Sequence, residues 1–138
     1  MEMLNNLVKA KYNLENTLHL AHWVARGEKF YPYHLMFADL LEIVSEGTDD
    51  LVELGMALGY QPNFDSFGGV SMELEDYSCS YLTELSANML TSYMAKLFDA
   101  RNAVAGNEMA VGLLAHIENL ATKANKALYI VSATMREN

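Results

Sequence analysis

A single cysteine, Cys79, is the only thiol in the chain, and one cysteine makes no internal disulfide. That suits a reducing compartment, so a cytoplasmic location is expected. Basic residues are also scarce: nine Lys and Arg stand against eighteen Asp and Glu, a net charge of −9. They are scattered, with no cluster and no Lys/Arg-rich tail, so nucleic acid is not expected as a partner, since its phosphates must be met by cations. No run of about 18 apolar residues occurs, which excludes a membrane-spanning helix. The opening Met-Glu-Met-Leu-Asn-Asn has no basic stretch leading into an apolar one, so no signal peptide is expected. No segment reads as a strand, and there is no internal repeat. The tetrapeptide pattern Glu-x-x-His occurs nowhere.

Apolar residues, in contrast, make up 51% of the 138 positions, enough for one domain over residues 1–138 with a substantial core. Their spacing is helical. Leu4, Leu7, Val8, Leu14, Leu18, Ala21 and Ala25 lie on one stripe and predict a first helix from about Leu4 to Arg26, closed by Gly27. Pro32 suits the first turn of a second helix, from about Tyr31 to Gly59, with Leu40, Leu41, Val44, Leu51, Leu54 and Leu58 apolar. Gly47 and Gly55 weaken that helix by up to ~1 kcal/mol each relative to Ala, and so mark close packing. From Tyr60 to Val70 the pattern breaks into a crossing loop whose Phe64 and Phe67 anchor it to the body. A third helix is predicted from about Leu74 to Ala105, with Leu82, Leu85, Met89, Tyr93, Leu97 and Val104 in register. Gly106-Asn107 separates it from a fourth, about Glu108 to Met135, with Leu113, Leu114, Ile117, Leu120, Ala124, Leu128 and Val131 inward. The chain is therefore expected to be all-α: a four-helix bundle with one long crossover between helices two and three, the ferritin-like variant.

A di-iron site inside such a bundle uses Glu-x-x-His on two helices. With none present, an intra-bundle centre is not expected. The residue types that bind transition metals gather instead between His22 and Glu53: His22, Trp23, His34, Asp49 and Glu53. Asp49 and Glu53, four residues apart, project from one helix face. His34 and Asp49, however, are 15 residues apart on the second helix, ~22 Å at 1.5 Å per residue, too far to share an ion whose ligands lie within about 2.0 to 2.6 Å of it. They can share one only if an antiparallel copy packs across a two-fold axis near Leu41 and Glu42, which creates two sites. Taken one at a time, these residues have blander readings: a surface histidine, a solvated carboxylate pair, a core tryptophan.

At these positions the sequence resembles the Dps family, the mini-ferritins named as DNA-binding proteins from starved cells. The family pattern His-Trp-x-x-x-Gly-x-x-Phe-x-x-x-His is matched by His22, Trp23, Gly27, Phe30 and His34. Asp-x-x-x-Glu shortly before Leu-Gly is matched by Asp49, Glu53 and Leu58-Gly59, and Lys126-Ala127-Leu128-Tyr129 resembles the last helix. The resemblance implies a hollow homo-oligomer of twelve subunits with ferroxidase centres at two-fold interfaces. Ferrous iron is oxidised there by hydrogen peroxide or oxygen and stored as a ferric mineral, which protects against oxidative damage. It implies His22 and His34 as ligands from one subunit, Asp49 and Glu53 from its mate, and Trp23 beside the centre.

The sequence departs from the family at Ala38, where an acidic ligand usually follows the second histidine by four residues. Asp39 lies ~100° farther round the helix and does not replace it. The iron position of His22, Asp49 and Glu53 is thus expected intact and the one built on His34 weakened. A non-catalytic shell with a degenerate centre is the alternative, and a small helical binding module a further one. Val24 stands where a polar residue is common, and the family's basic tails are absent, so DNA binding is not carried over. His19, on nearly the same face as His22, is a candidate ligand or neighbour of the site, though a polar interface residue is the plainer reading. His116 is expected to be structural, Asp99 and Glu108 are candidates for lining iron pores, and the nine methionines are expected to fill core.

Overall fold

A computed structural model describes residues 2–63 and 76–136. Five α-helices are formed: α1 Glu2–Val24, α2 Phe30–Ser45, α3 Thr48–Met56, α4 Cys79–Val104 and α5 Val111–Met135. Helix α1 packs on α2 and α4, α4 packs on α5, and α2 and α3 pack on α5, closing a ring around one core. This is an all-α, ferritin-like four-helix bundle whose second helix is divided into α2 and α3. Among the described residues there is no strand, only an isolated bridge between Arg26 and Ser78. No helix among them is long and apolar enough to cross a membrane.

The apolar stripes point inward. Every stripe residue named for the first helix is buried, as are Leu40, Val44 and Leu51 of the second, Leu82, Tyr93, Leu97 and Val104 of the third, and Leu113, Ile117, Leu120, Ala124 and Val131 of the fourth. Phe37 and Leu90, not anticipated, join them. Where a helix begins, a polar side chain supplies the cap. The Ser78 hydroxyl accepts from the Tyr81 N–H at 3.2 Å, so the third helix starts at Cys79 rather than at Leu74, which lies outside the described residues. The Asn107 side chain accepts from the Met109 N–H at 3.0 Å and opens a 3-10 turn, Glu108–Ala110, ahead of α5. The chain leaving α1 is fastened to the approach to α4. The Arg26 N–H donates to Tyr77 O, the Arg26 guanidinium lies 4.8 Å from the centre of the Tyr77 ring, and the Cys79 thiol donates to Arg26 O. Phe64 and Phe67 lie outside the described residues; the described start of the crossover is held to α1 by Tyr60 Oη donating to Asn5 Oδ1 at 2.7 Å.

The continuous helix expected from Tyr31 to Gly59 is not formed. It is interrupted at Glu46–Gly47, where Gly47 adopts φ +85°, a left-handed conformation that side-chain-bearing residues rarely take. Three side chains from other elements hold the interruption. Lys11 lies on the apolar stripe of α1 and is fully buried. Its ammonium donates to Glu15 Oε1 at 2.7 Å, to Val44 O at 2.7 Å and to Thr48 Oγ1 at 2.6 Å, using all three protons. Val44 O belongs to the last turn of α2, where carbonyls lack helical partners, and Thr48 is the first residue of α3. From α5, His116 Nε2–H donates to Gly47 O at 2.8 Å, and Lys123 pairs with Glu46 at 2.7 Å. A Cβ on Gly47 would lie 2.9 Å from His116 Cε1, so close packing and the break are the same feature.

Lys11→Met, which keeps the length of the side chain and removes its donors, should therefore destabilise the fold by about 1–3 kcal/mol in urea titration near neutral pH, because Val44 O loses its donor and Glu15 its cation, while Thr48 keeps its bond to Glu15. Burial pushes the Lys11 ammonium down from its ordinary 10.5, against the hydrogen bond and charge of Glu15. The folded chain thus sheds this proton first. Just below pH 10.5 the unfolded state binds more protons, so the contribution of Lys11 to stability rises with pH there. The Met variant should lose that part of the slope.

Candidate metal centre

His22 sits in the last turn of α1 and His34 in the second turn of α2, and the short turn between the helices brings them face to face. Their imidazoles stack with centroids 3.8 Å apart and planes 14° apart. Each ring is then bonded to the other residue's main chain: His22 Nδ1 to His34 O at 2.8 Å, and His34 Nδ1 to His22 O at 2.6 Å. A carbonyl oxygen only accepts, so both Nδ1 atoms carry the proton. In the neutral ring, Nε2 then holds the lone pair, and among the described residues nothing in the chain takes it up. The chain's local geometry makes this exchange possible. His22 O is one of the end carbonyls of α1, and the Arg26 N–H that would continue the helix bonds to Tyr77 O instead. An imidazole whose Nδ1–H is tied to a main-chain carbonyl is oriented and locked in the tautomer that offers Nε2 to a metal.

Aromatic rings wall this pair. Phe30 stacks on His34 at 4.9 Å, and Tyr31 lies 6.4 Å from the same ring. Trp23 does not stack on His22; its ring lies on His19 at 4.8 Å and is 64% exposed. Tyr31 and Leu35 are exposed on the following helix. Among the described residues, large apolar side chains beside the two oriented imidazoles are thus left open.

Asp49 and Glu53 stand elsewhere. Both are exposed on α3, one turn apart, with Asp49 and Asp50 in its first turn, where the helix dipole favours negative charge. Among the described residues no three His, Cys, Asp or Glu side chains converge within the chain. The structure therefore brings His22 and His34 together and does not bring Asp49 and Glu53 to them. The spacing of ~22 Å along one helix does not apply, because α3 starts afresh after Gly47. Leu41 and Glu42, about which the two-fold register was drawn, lie within α2, whereas Asp49 and Glu53 follow the break at Gly47. Ala38, half-buried on α2, contributes a methyl group and no oxygen, and Asp39 beside it is exposed. His116 is structural, tied to Gly47. Asp99 lies near the end of α4 and Glu108 in the 3-10 turn.

Lys11, Glu15 and Thr48, which position the acidic half, were not among the expected site residues. A lysine at a buried register position, between Val8 and Leu14, was the available signal.

The same backbone arrangement is found in known proteins. No family model matches the sequence and no curated relative does. Solved structures do: Dps from Staphylococcus aureus superposes with a TM-score of 0.84 at 20% identity, over 99% of this chain and 95% of that one. Dps from Thermosynechococcus elongatus gives 0.81 at 16% identity, over 99% and 92%, and an archaeal Dps homologue from Halobacterium salinarum gives 0.78 at 19%, over 99% and 79%. At these identities the likeness is one of fold, and the fold is that of Dps.

The tautomer argument is testable without reference to activity. With 15N-labelled histidine, solid-state NMR of metal-free protein above pH 8 should show two rings as Nδ1–H with bare Nε2. These should be the two signals lost in His22→Gln and His34→Gln.

Proposed function

We propose that this chain, which has the fold of the Dps proteins, is a mini-ferritin that oxidises ferrous iron at sites completed between two copies of itself and stores the ferric product in a hollow shell. The observation that carries this reading is the reciprocal pair of His22 and His34, which offers two oriented nitrogen donors but no carboxylate. Imidazole alone suits several metals, and a hard, charged oxygen donor must come from elsewhere to favour ferric over ferrous iron. Asp49 and Glu53, exposed on α3 and, among the described residues, in no ion pair, are the donors assigned to a second subunit. The resemblance of the His22–His34 and Asp49–Glu53 patterns to the Dps signature and the likeness of fold support the same division.

In this reading each subunit plays both parts. His22 offers Nε2 to one ferrous ion, at the position completed by Asp49 and Glu53 of the facing copy, and His34 offers Nε2 to the second, which Ala38 leaves short of a carboxylate; Asp49 and Glu53 neutralise charge as iron passes from +2 to +3. Two ferrous ions each give one electron to a peroxide, which takes up two protons and leaves as two waters. Trp23, Phe30 and Tyr31 surround the imidazoles with apolar surface, and the facing subunit covers it. Twelve copies of the 15.4 kDa chain are expected, following the resemblance. Asp99 and Glu108 are assigned to the iron pores of that shell. The reading places the protein in the cytoplasm as an iron-homeostasis and oxidative-stress protein, and gives no role to nucleic acid, in keeping with the −9 charge.

One observation favours a second reading, a shell with a degenerate centre: Ala38 supplies no ligand one turn after His34. The two readings part on a single experiment. Ferrous iron and peroxide added to metal-free protein should give the ultraviolet absorbance of ferric oxide, with the product eluting with the protein. Asp49→Ala, at an exposed position that leaves the fold intact, should slow the reaction by about 10- to 100-fold, the usual effect of disturbing a metal site. A wild-type rate no faster than the buffer control would establish the degenerate shell. Light scattering at one or two chain masses would remove the shell altogether.

A further inference from the structure

Each half of the proposed centre has an exposed apolar side chain beside it. On the nitrogen side it is Trp23, the residue after His22 and the single tryptophan of the chain, 64% exposed. Its indole is not loose: it lies on the His19 ring, one turn back on α1, at 4.8 Å and 22°. Long side chains on a helix lean toward the residue four before, so this stack holds the indole at the surface in one position. On the oxygen side it is Met56, the last residue of α3, 47% exposed. Asp49, Glu53 and Met56 follow i, i+4, i+7, which places them within ~60° of one another at 3.6 residues per turn. The thioether therefore stands on the face that presents both carboxylates, one turn beyond Glu53. Single exposed apolar side chains are ordinary on a protein surface; these two differ in that each adjoins one half of an incomplete donor set.

We infer, building on the proposed sharing of donors between two copies, that the Trp23 indole seats on Met56 of the partner subunit and sets the register in which the copies meet. An ion shared by His22 Nε2 and the facing carboxylates lies within about 2.0 to 2.6 Å of every donor. The end of α1 and the outer face of the partner's α3 then approach as closely as packed helices, about 8–10 Å between axes. The residues next to the donors meet as the donors do, and a thioether against an aromatic ring is a favourable pair. Tyr31 and Leu35, 65% and 44% exposed near the same imidazoles, widen the patch. At 150–250 Å² for a whole aromatic side chain, the three present on the order of 300–400 Å². That is nearly half of the about 800 Å² per partner that a stable interface buries, and aromatic anchors carry most of the binding energy at such a centre. The occupant is a second copy because α3 carries, on one face, the carboxylates that the imidazoles lack and an apolar neighbour for the indole.

With one tryptophan in the chain, the contact is read directly from fluorescence. Emission and mass by light scattering are followed together in metal-free full-length protein over a dilution series. As chains assemble, the emission maximum should move to the blue in step with the rise in mass, because the indole leaves water. Trp23→Ala, and Met56→Lys, which sets a charge against the indole, should each raise the concentration at which half the chains are assembled by at least about tenfold, as loss of an anchor residue does. Met56→Leu should keep the assembly and the emission of the parent protein. An assembled protein whose Trp23 emits as it does in water, or a Met56→Lys variant with the assembly and emission of the parent, would overturn the inference. So would a chain that stays single at every concentration. Oxidation assays separate the contact from the function. A blue-shifted Trp23 in an assembly that does not oxidise ferrous iron would remove the ferroxidase and keep the contact, whereas water-like emission in an assembly that does oxidise it would remove the contact alone.

Discussion

A buried ammonium must find three acceptors or the fold is destabilised, and the way Lys11 meets that demand governs the geometry of the acidic side of the molecule. Its partners are Glu15 on its own helix, the Val44 carbonyl at the end of α2 and the Thr48 hydroxyl at the start of α3. A single charge thereby joins α1 to both sides of a helix break, and desolvation of that charge is the cost the three bonds offset. His116 holds the remaining carbonyl of the break from the opposite wall of the bundle. The direction taken by α3, and with it the placement of Asp49 and Glu53, is therefore set by core chemistry and not by the exposed carboxylates themselves.

The nitrogen side follows a related logic. Helix ends leave main-chain carbonyls without partners, and here the end of α1 has one satisfied by a side chain of the next helix, His34. The return bond from His22 to His34 O completes the exchange. Two short bonds and one ring stack fix both imidazoles without any residue being spent on orientation alone. The pair is held where α1 and α2 pack, and among the described residues Trp23 and Tyr31 beside it stand largely exposed. In this arrangement the nitrogen and oxygen groups of the proposed centre are prepared by different helices.

Most of the architecture was legible from spacing, since the stripe residues from Leu4 to Ala25 and from Leu113 to Val131 report burial at a period of 3.6. The break in the second helix was not. Gly47 and Gly55 carry the same residue type eight positions apart, yet only Gly47 has positive φ. What distinguishes them is a histidine 69 residues later, a long-range contact that local pattern does not encode. Lys11 escapes local pattern for a related reason: it shares a buried face with Val8 and Leu14, but the acceptors that its charge meets lie on α2 and α3, more than thirty residues away. The paired imidazoles were legible as residue types across a turn, but the exchange of bonds that fixes their tautomers depends on where α1 ends, and Gly27 indicates that end only to within a few residues.

Under the proposed function, the lone thiol Cys79 has to coexist with an oxidant. Oxidation of cysteine starts from the thiolate, and partial burial pushes the Cys79 thiol up from its ordinary value. Its proton is directed at the Arg26 carbonyl, within the fastening between α1 and α4. The side chain thus remains a weak nucleophile, slow to begin the ladder from sulfenic to sulfonic acid. The one thiol of the chain is thus kept in the form that reacts least with an oxidant.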